Sequence, residues 1–160
     1  MNTTAEATIE AVADLPLIRI VREFDATPEQ VQRAHTDPEL FARWIGPDSR
    51  ETEIETWDAR TGGSWRYTNT NCDGDAQTFF GSFHDIRPGR MVQTFTWAGM
   101  PDGVALETVV FEALPGGRTR LTGTSLVDSI EGRDAILRSG MDVGLREGYA
   151  KLDALLAAGA

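Results

Sequence analysis

The spacing of apolar residues divides the chain into a short helical part, a long run of strands and a final helix. Residues 17–24 alternate between apolar and polar side chains, which is typical of a strand with one buried face. Two short helices are predicted next. Thr27 precedes a proline and stands three residues before Gln30, while Asp37 also precedes a proline, so each can cap a helix. Residues 1–14 are mostly polar and are expected to be loosely ordered.

From residue 51 the apolar period changes to two. Six strand-like segments are separated by short turns such as RTGG and RPGR, which are rich in glycine, proline and aspartate. Strands joined by such short turns pair in antiparallel fashion. The segments are ETEIETWDA, SWRYTNTN, QTFFGSFHDI, MVQTFTWA, ALETVVFEAL and RTRLTGTSLV. The sequence therefore predicts one curved antiparallel sheet of six or seven strands.

The helical period returns at the end of the chain and predicts one long helix over residues 131–158. A single sheet and a single long helix must bury their apolar faces against each other. We therefore expect an α+β fold in which a curved sheet grips the C-terminal helix, with two short helices after the first strand. A length of 160 residues favours a single domain, residues 1–160, with a substantial core.

Three glycines, Gly140, Gly144 and Gly148, recur at every fourth position of this predicted helix. Each glycine inside a helix costs roughly 1 kcal/mol relative to alanine. On a helical wheel Gly144 and Gly148 fall within the apolar arc and Gly140 lies at its edge, so they face the sheet. Two compatible explanations remain open: aromatic side chains pack closely against the bare backbone, or the missing side chains leave room for a ligand.

Charge and composition narrow the range of partners. The formal net charge of −10, with no basic stripe, argues against nucleic acid and anionic membranes as partners. No apolar run reaches the ~18 residues of a membrane span, so membrane insertion is not expected. The N-terminus lacks the features of a signal peptide, and Cys72 is the only cysteine, so a cytoplasmic protein is expected.

Aromatic side chains alternate along the strands and are expected to face the C-terminal helix, together with a few polar groups. A mostly apolar pocket with few polar groups is typical of a small-molecule site. The facing of one strand stays open: either Phe80, Ser82, His84 and Ile86 or Phe79, Gly81, Phe83 and Asp85 point inward. The candidate ligand-binding residues are Trp44, Trp65, Tyr67, Asn69, Phe95, Trp97, Glu107, Met141, Gly144, Leu145 and Gly148.

Catalytic chemistry has few candidates. His35 and His84 are the only histidines, and no His, Cys or carboxylate spacing fits a metal site, so no metal or cofactor is expected. His35 is interpreted as a residue on a helix surface. If the protein is an enzyme, His84 and Glu107 are the acid and base candidates, with Tyr67 as a hydrogen-bond donor.

Several segments resemble the START-like superfamily, in particular bacterial proteins similar to the C-terminal domain of the Hsp90 ATPase activator. They include REFDATPEQVQRAHTDPELFARWIGP, TGGSWRYTNT, FFGSFHDIRPGRMVQTFTW, GGRTRLTGTSL and, most specifically, RDAILRSGMDVGLREGYAKLDALL. The resemblance covers about residues 17–158. It implies a helix-grip fold with a cavity, in a superfamily whose members bind lipids, sterols, polyketides or plant hormones and include cyclases.

The sequence departs from this family at Ile45, where a second tryptophan is common, and at His84, where arginine or an apolar residue is common. It also departs at Gly123, where an aliphatic side chain is usual, so that the cavity would be enlarged. The leading hypothesis is binding of a small, mostly apolar or aromatic molecule. The alternatives are a cyclase or dehydratase acting in the same cavity and a protein-interaction domain such as a chaperone partner. A homodimer is also considered, although no exposed apolar face stands out in the sequence.

Overall fold

The computed structural model describes residues 6–160 and shows an α+β fold built on one antiparallel sheet of eight strands. The strands lie in the order β1-β2-β8-β7-β6-β5-β4-β3. They are β1 (Thr8–Ala11), β2 (Leu17–Phe24), β3 (Arg50–Trp57), β4 (Ser64–Asn71), β5 (Ala76–Arg87), β6 (Arg90–Trp97), β7 (Ala105–Leu114) and β8 (Arg118–Leu126). The helices are α1 (Pro28–Thr36), α2 (Pro38–Trp44), α3 (Ile130–Arg138) and α4 (Met141–Ala157). The predicted fold class is confirmed, with one strand more than expected.

The additional strand is β1, in the segment that was expected to be loosely ordered. It pairs with β2 from Thr8 opposite Val21 to Ala11 opposite Ile18. Residues 1–5 of that segment lie outside the described residues. The strand has only four residues and one large apolar side chain, so its own sequence carries little signal; pairing with β2 supplies the hydrogen bonds that order it.

The two short helices begin where their caps predict. The Thr27 hydroxyl accepts a hydrogen bond from the Gln30 backbone N–H, and the Gln30 side chain accepts one from the Thr27 backbone N–H. At α2 the Asp37 carboxylate accepts from the backbone N–H of Glu39 at 2.9 Å. These bonds satisfy donors that a helix start leaves without partners.

The predicted single helix over residues 131–158 is wrong, because two helices occupy that segment. Gly140 has a φ of +88°, a left-handed conformation that glycine adopts without steric cost, and it separates α3 from α4. Arg133 is the one buried residue of α3, and its guanidinium donates to the carbonyl oxygens of Val12 and Leu15. The first of the three glycines is therefore a helix boundary.

One buried part of the core lies where α1 contacts β7, β8 and α4. Phe24, Phe111 and Leu121 from the sheet are buried there against Leu152 of α4. The earlier turns of α4 are less covered, and Met141, Gly144 and Leu145 are only half-buried. The start of α4 is therefore more exposed than its later turns.

Candidate functional site

Strand β5, whose facing the sequence leaves open, directs Phe79 and Phe83 toward the core and then contains a bulge. Phe83 is buried while His84 is exposed, and the register with β6 shifts between Phe83 and Asp85. A bulge adds a residue to one strand and changes the alternation beyond it. As a result Phe79, Phe83 and Ile86 all belong to the core side of the sheet.

Four aromatic rings on β4, β5 and β6 form a closed set, here called the aromatic quartet: Trp65, Tyr67, Phe79 and Phe95. Successive ring centroids are 5.4 Å (Trp65–Tyr67), 5.5 Å (Tyr67–Phe79), 5.2 Å (Phe79–Phe95) and 5.6 Å (Phe95–Trp65) apart. Gly81 lies opposite Trp65 in the sheet, and an added Cβ there would clash with the backbone carbonyl of Thr94 and come within 2.9 Å of the Trp65 ring. The bare backbone of β5 therefore allows the rings to close over it.

A carboxyl group stands beside this aromatic surface. Glu107 of β7 lies opposite Gln93 of β6 and Ser125 of β8, and the Gln93 side-chain amide donates to a Glu107 oxygen at 3.1 Å. Burial raises the pKa of Glu107 to about 7, although the bond from Gln93 opposes the shift. Burial, followed by the charge of Glu107, raises the pKa of both Tyr67 and Tyr149, so their rings are electrostatically close to this carboxylate.

The middle of the concave face is half-open. Its side chains are only half-buried even though they point toward the helices: Ile20, Phe79, Gln93, Phe95, Glu107, Val109 and Ser125. Gly123 is buried among them, yet an added Cβ would meet no heavy atom of another residue closer than 3.9 Å. We call this region, bounded by these residues and the aromatic quartet, the central hollow.

The indole of Trp65 has an unmet hydrogen-bonding capacity. The other three tryptophans of the chain donate to Ala34 O (from Trp44), Thr36 O (from Trp57) and Gln77 Oε1 (from Trp97). Trp65 is 3% exposed, and its N–H has no acceptor among the described residues. A buried donor without an acceptor costs about 1–3 kcal/mol.

The two remaining helix glycines differ in their surroundings. An added Cβ at Gly148 would lie 2.9 Å from the carbonyl oxygen of Trp44, so α4 and α2 approach too closely for a side chain. At Gly144 the nearest atom would be Pro47 Cδ at 3.5 Å, an ordinary contact. Close packing against the α2 backbone accounts for Gly148, whereas an added Cβ at Gly144 of α4 or at Gly123 of β8 would make only ordinary contacts.

Other predicted site residues are held in the scaffold. Trp44 is buried, stacks on Tyr149 with centroids 6.0 Å apart and has its N–H satisfied. Asn69 is buried and accepts a 2.6 Å hydrogen bond from Thr52. Trp97 is 43% exposed, and Met141 stands at the start of α4. Trp65, Tyr67, Phe95 and Glu107 come together in one region, with Leu145 against the same core.

His84 lies apart from the other two acid–base candidates. It is exposed on the outer face of the sheet, where it lines a groove of about 520 Å³ with Asp85, Arg90 and Leu106. The sheet separates it from Glu107 and Tyr67, so the three residues do not form one catalytic cluster. A second outer groove of about 410 Å³ includes Arg66, whose guanidinium lies over the Phe80 ring.

Two features of the interior were not expected from the sequence. Arg22 is 7% exposed and forms a paired salt bridge with Asp153 of α4, at 2.9 and 2.6 Å. His35 is half-buried against the rings of Trp44 and Phe111, so its interpretation as a surface residue is wrong. Burial lowers the pKa of His35 to about 4 and keeps it neutral. For the salt bridge, the sequence held one signal: Arg22 occupies a position in β2 where the alternation predicts an apolar, inward-facing side chain.

Comparison with known proteins agrees with this geometry. The sequence model of the family "Activator of Hsp90 ATPase homolog 1-like protein" matches residues 25–157. The chain belongs to this family. Among solved structures, a Rhodobacter sphaeroides protein is 27% identical, with a TM-score of 0.85, over 96% of this chain and 99% of that one. An Arthrobacter aurescens protein is 29% identical over 96% of this chain and 92% of that one, also with a TM-score of 0.85.

The family fold also extends to more distant sequences. Protein Ms6760 of Mycobacterium smegmatis is 24% identical over 94% of this chain and 96% of that one, with a TM-score of 0.83, which shows the fold alone. No curated protein matches the chain significantly. Within residues 6–160 no helix is long and apolar enough to cross a membrane, and no three His, Cys, Asp or Glu side chains cluster as metal ligands.

Proposed function

We propose that this member of the activator of Hsp90 ATPase homolog 1-like family binds a small, mostly aromatic molecule in the central hollow and does so in the cytoplasm. The observation that carries the proposal is the buried Trp65 N–H without an acceptor, set within the aromatic quartet. Three other tryptophans of the same chain satisfy theirs. A ligand with an aromatic body and an oxygen atom would stack on the quartet and supply the missing acceptor.

The half-buried side chains around Glu107 support the same location. At Gly123 an added Cβ would make only ordinary contacts, at 3.9 Å from Ile20 and Leu121, so there is room for a larger side chain that faces the same region.

Filling that room tests the proposal. In Gly123→Val the new side chain should occupy the hollow, and 2-naphthol should bind at least about tenfold more weakly than to the parent, a loss of about 1.4 kcal/mol. The variant should be as stable as the parent or more so, because a valine suits a strand and buries apolar surface. Quenching of tryptophan fluorescence gives the affinity, and urea unfolding gives the stability.

Thr122→Val is the matched control, because it introduces the same side chain one position earlier, on the outer face of β8. It should leave the affinity for 2-naphthol unchanged within threefold. If the parent, Gly123→Val and Thr122→Val all bind 2-naphthol with the same affinity, the probe binds elsewhere and the central hollow is rejected as its site. Absence of any binding to the parent would reject the proposal for this class of molecule.

An exposed apolar surface gives a second candidate, a homodimer through the outer face of the sheet. Leu106 and Leu126 lie opposite each other on β7 and β8 and are 44% and 43% exposed, with Val110 at 39% on the same face. The sequence alone did not reveal this surface. Sedimentation velocity should detect a dimer that Leu106→Glu dissociates; a monomeric parent at high concentration would reject this candidate.

A further inference from the structure

We propose that Glu107 is the specificity-determining residue of the central hollow, selecting aromatic ligands that carry a hydroxyl group and excluding aromatic carboxylates. This inference rests on the proposed binding function and adds the chemical class of the ligand. It follows from the position of one carboxyl group among aromatic rings and uncharged polar side chains.

The first step is the hydrogen bonding of Glu107 itself. Of the two carboxyl oxygens, Oε1 accepts the bond from the Gln93 amide at 3.1 Å. Ser125 lies opposite on β8 and is uncharged. An ionised carboxyl group has acceptor capacity for several donors, so a ligand donor can bind there without displacing Gln93. A hydroxyl group supplies that donor, whereas an ionised ligand carboxylate has no proton to offer.

The second step is the charge around Glu107. Tyr67 approaches it from β4 and Tyr149 from α4, and both remain neutral because their pKa values are raised. The nearest cation that influences Tyr149 is Arg22, whose guanidinium is already paired with Asp153. His35 is neutral above about pH 5, since burial lowers its pKa to about 4. The charge of Arg22, the one cation in this set, is therefore already balanced by Asp153, although its Nε–H has no acceptor among the described residues.

The third step is the neighbouring apolar surface. Glu107 is one row along the sheet from the Phe95 position, since Gln93 pairs with Glu107 and Phe95 pairs with Ala105. Phe95 belongs to the aromatic quartet, so a ring stacked on the quartet can direct a substituent toward Glu107. An anionic substituent would there meet a like charge in a poorly solvated region, which disfavours binding.

The experiment compares three probes with one aromatic body: 2-naphthol, 2-naphthoate and 2-methylnaphthalene. At pH 8 the parent should bind 2-naphthol at least about tenfold more tightly than 2-naphthoate. In Glu107→Gln the affinity for 2-naphthoate should rise at least about tenfold, while that for 2-methylnaphthalene stays within threefold. Glu112→Gln, an exposed glutamate on the same strand, should reproduce the parent for all three probes.

The parent also provides a test that needs no variant. Lowering the pH from 8 to 5.5 protonates Glu107, whose pKa is about 7, while 2-naphthoate stays ionised because ordinary carboxyl groups titrate near pH 4. The affinity for 2-naphthoate should rise at least about fivefold. Failure of the parent to bind any of the three probes would reject the proposed function. Equal affinities of the parent for 2-naphthol and 2-naphthoate, or binding that does not respond to Glu107→Gln or to pH, would overturn the role of Glu107.

Discussion

Replacing Glu107 by glutamine should change the stability of the protein in a way that depends on pH. Burial raises the pKa of Glu107 from 4.5 to about 7 in the folded protein, so the folded state holds its proton more tightly than the unfolded state. The burial of Glu107 therefore costs the parent no stability from ionisation below pH 4.5, and its free energy of unfolding falls as the pH rises from 4.5 to 7. Each pKa unit corresponds to about 1.4 kcal/mol, which gives a loss of at most about 3 kcal/mol because the side chain keeps partial exposure.

Glutamine has no proton to lose, and its side-chain oxygen can still accept the hydrogen bond from Gln93. The stability of Glu107→Gln relative to the parent should therefore rise by about 1–2 kcal/mol between pH 5.5 and pH 8.5. Urea unfolding followed by circular dichroism at several pH values measures this difference. For the control Glu112→Gln the difference from its parent should stay within about 0.5 kcal/mol, as for other surface changes. A pH-independent difference for Glu107→Gln, or a variant that is less stable at pH 8.5, would refute the reasoning.

Three further predictions test the scaffold. Gly148→Ala should destabilise the protein by about 1–3 kcal/mol because its Cβ meets the α2 backbone. Gly144→Ala should stabilise it by up to about 1 kcal/mol, because alanine favours the helix and its Cβ meets only ordinary contacts. Equal effects of the two substitutions in urea unfolding would contradict the close-packing explanation. Asp153→Asn should lower the free energy of unfolding by about 2–3 kcal/mol, because it leaves Arg22 buried without its counter-charge. Adding Arg22→Met should restore much of that stability. If the effects of the two substitutions simply add in the double variant, the salt bridge does not have this role. When the pH is lowered from 7.5 to 5, the free energy of unfolding of His35→Gln should rise by up to about 2 kcal/mol relative to that of the parent. The reason is that a histidine with a lowered pKa in the folded state destabilises the parent as the pH falls below 6.5. A difference in urea unfolding that does not change with pH would contradict this.

Local sequence signals were sufficient for most of the fold. The caps at Thr27 and Asp37 set the helix starts, and turns such as RPGR set the strand boundaries, because both act through hydrogen bonds and dihedral angles within a few residues. Features that depend on tertiary contacts were missed. Strand β1 is ordered by pairing with β2, and the break at Gly140 depends on a left-handed residue within an otherwise helical pattern.

The candidate site was predicted in part for the same reason. Alternation predicted that Trp65 and Glu107 share the concave face, but it could not decide which face of β5 is buried or reveal the bulge that places Ile86 on the core side together with Phe83. The helical wheel directed Gly148 toward the interior without showing that the neighbour there is the α2 backbone. Distances between elements that are remote in sequence decide whether a glycine leaves room or closes a contact, and no local pattern contains them.

The central claim, that an aromatic molecule binds in the hollow beside the aromatic quartet, is tested most directly by the indole N–H resonances of the four tryptophans. In a ¹H–¹⁵N spectrum, titration with 2-naphthol should shift the Trp65 indole signal progressively to saturation, because its N–H has no acceptor in the described protein and its ring lies in the quartet. The Trp44 and Trp57 signals, whose N–H groups are bound to backbone carbonyls, should move little. Saturable binding that leaves Trp65 unchanged, or that shifts Trp97 alone, would contradict the account.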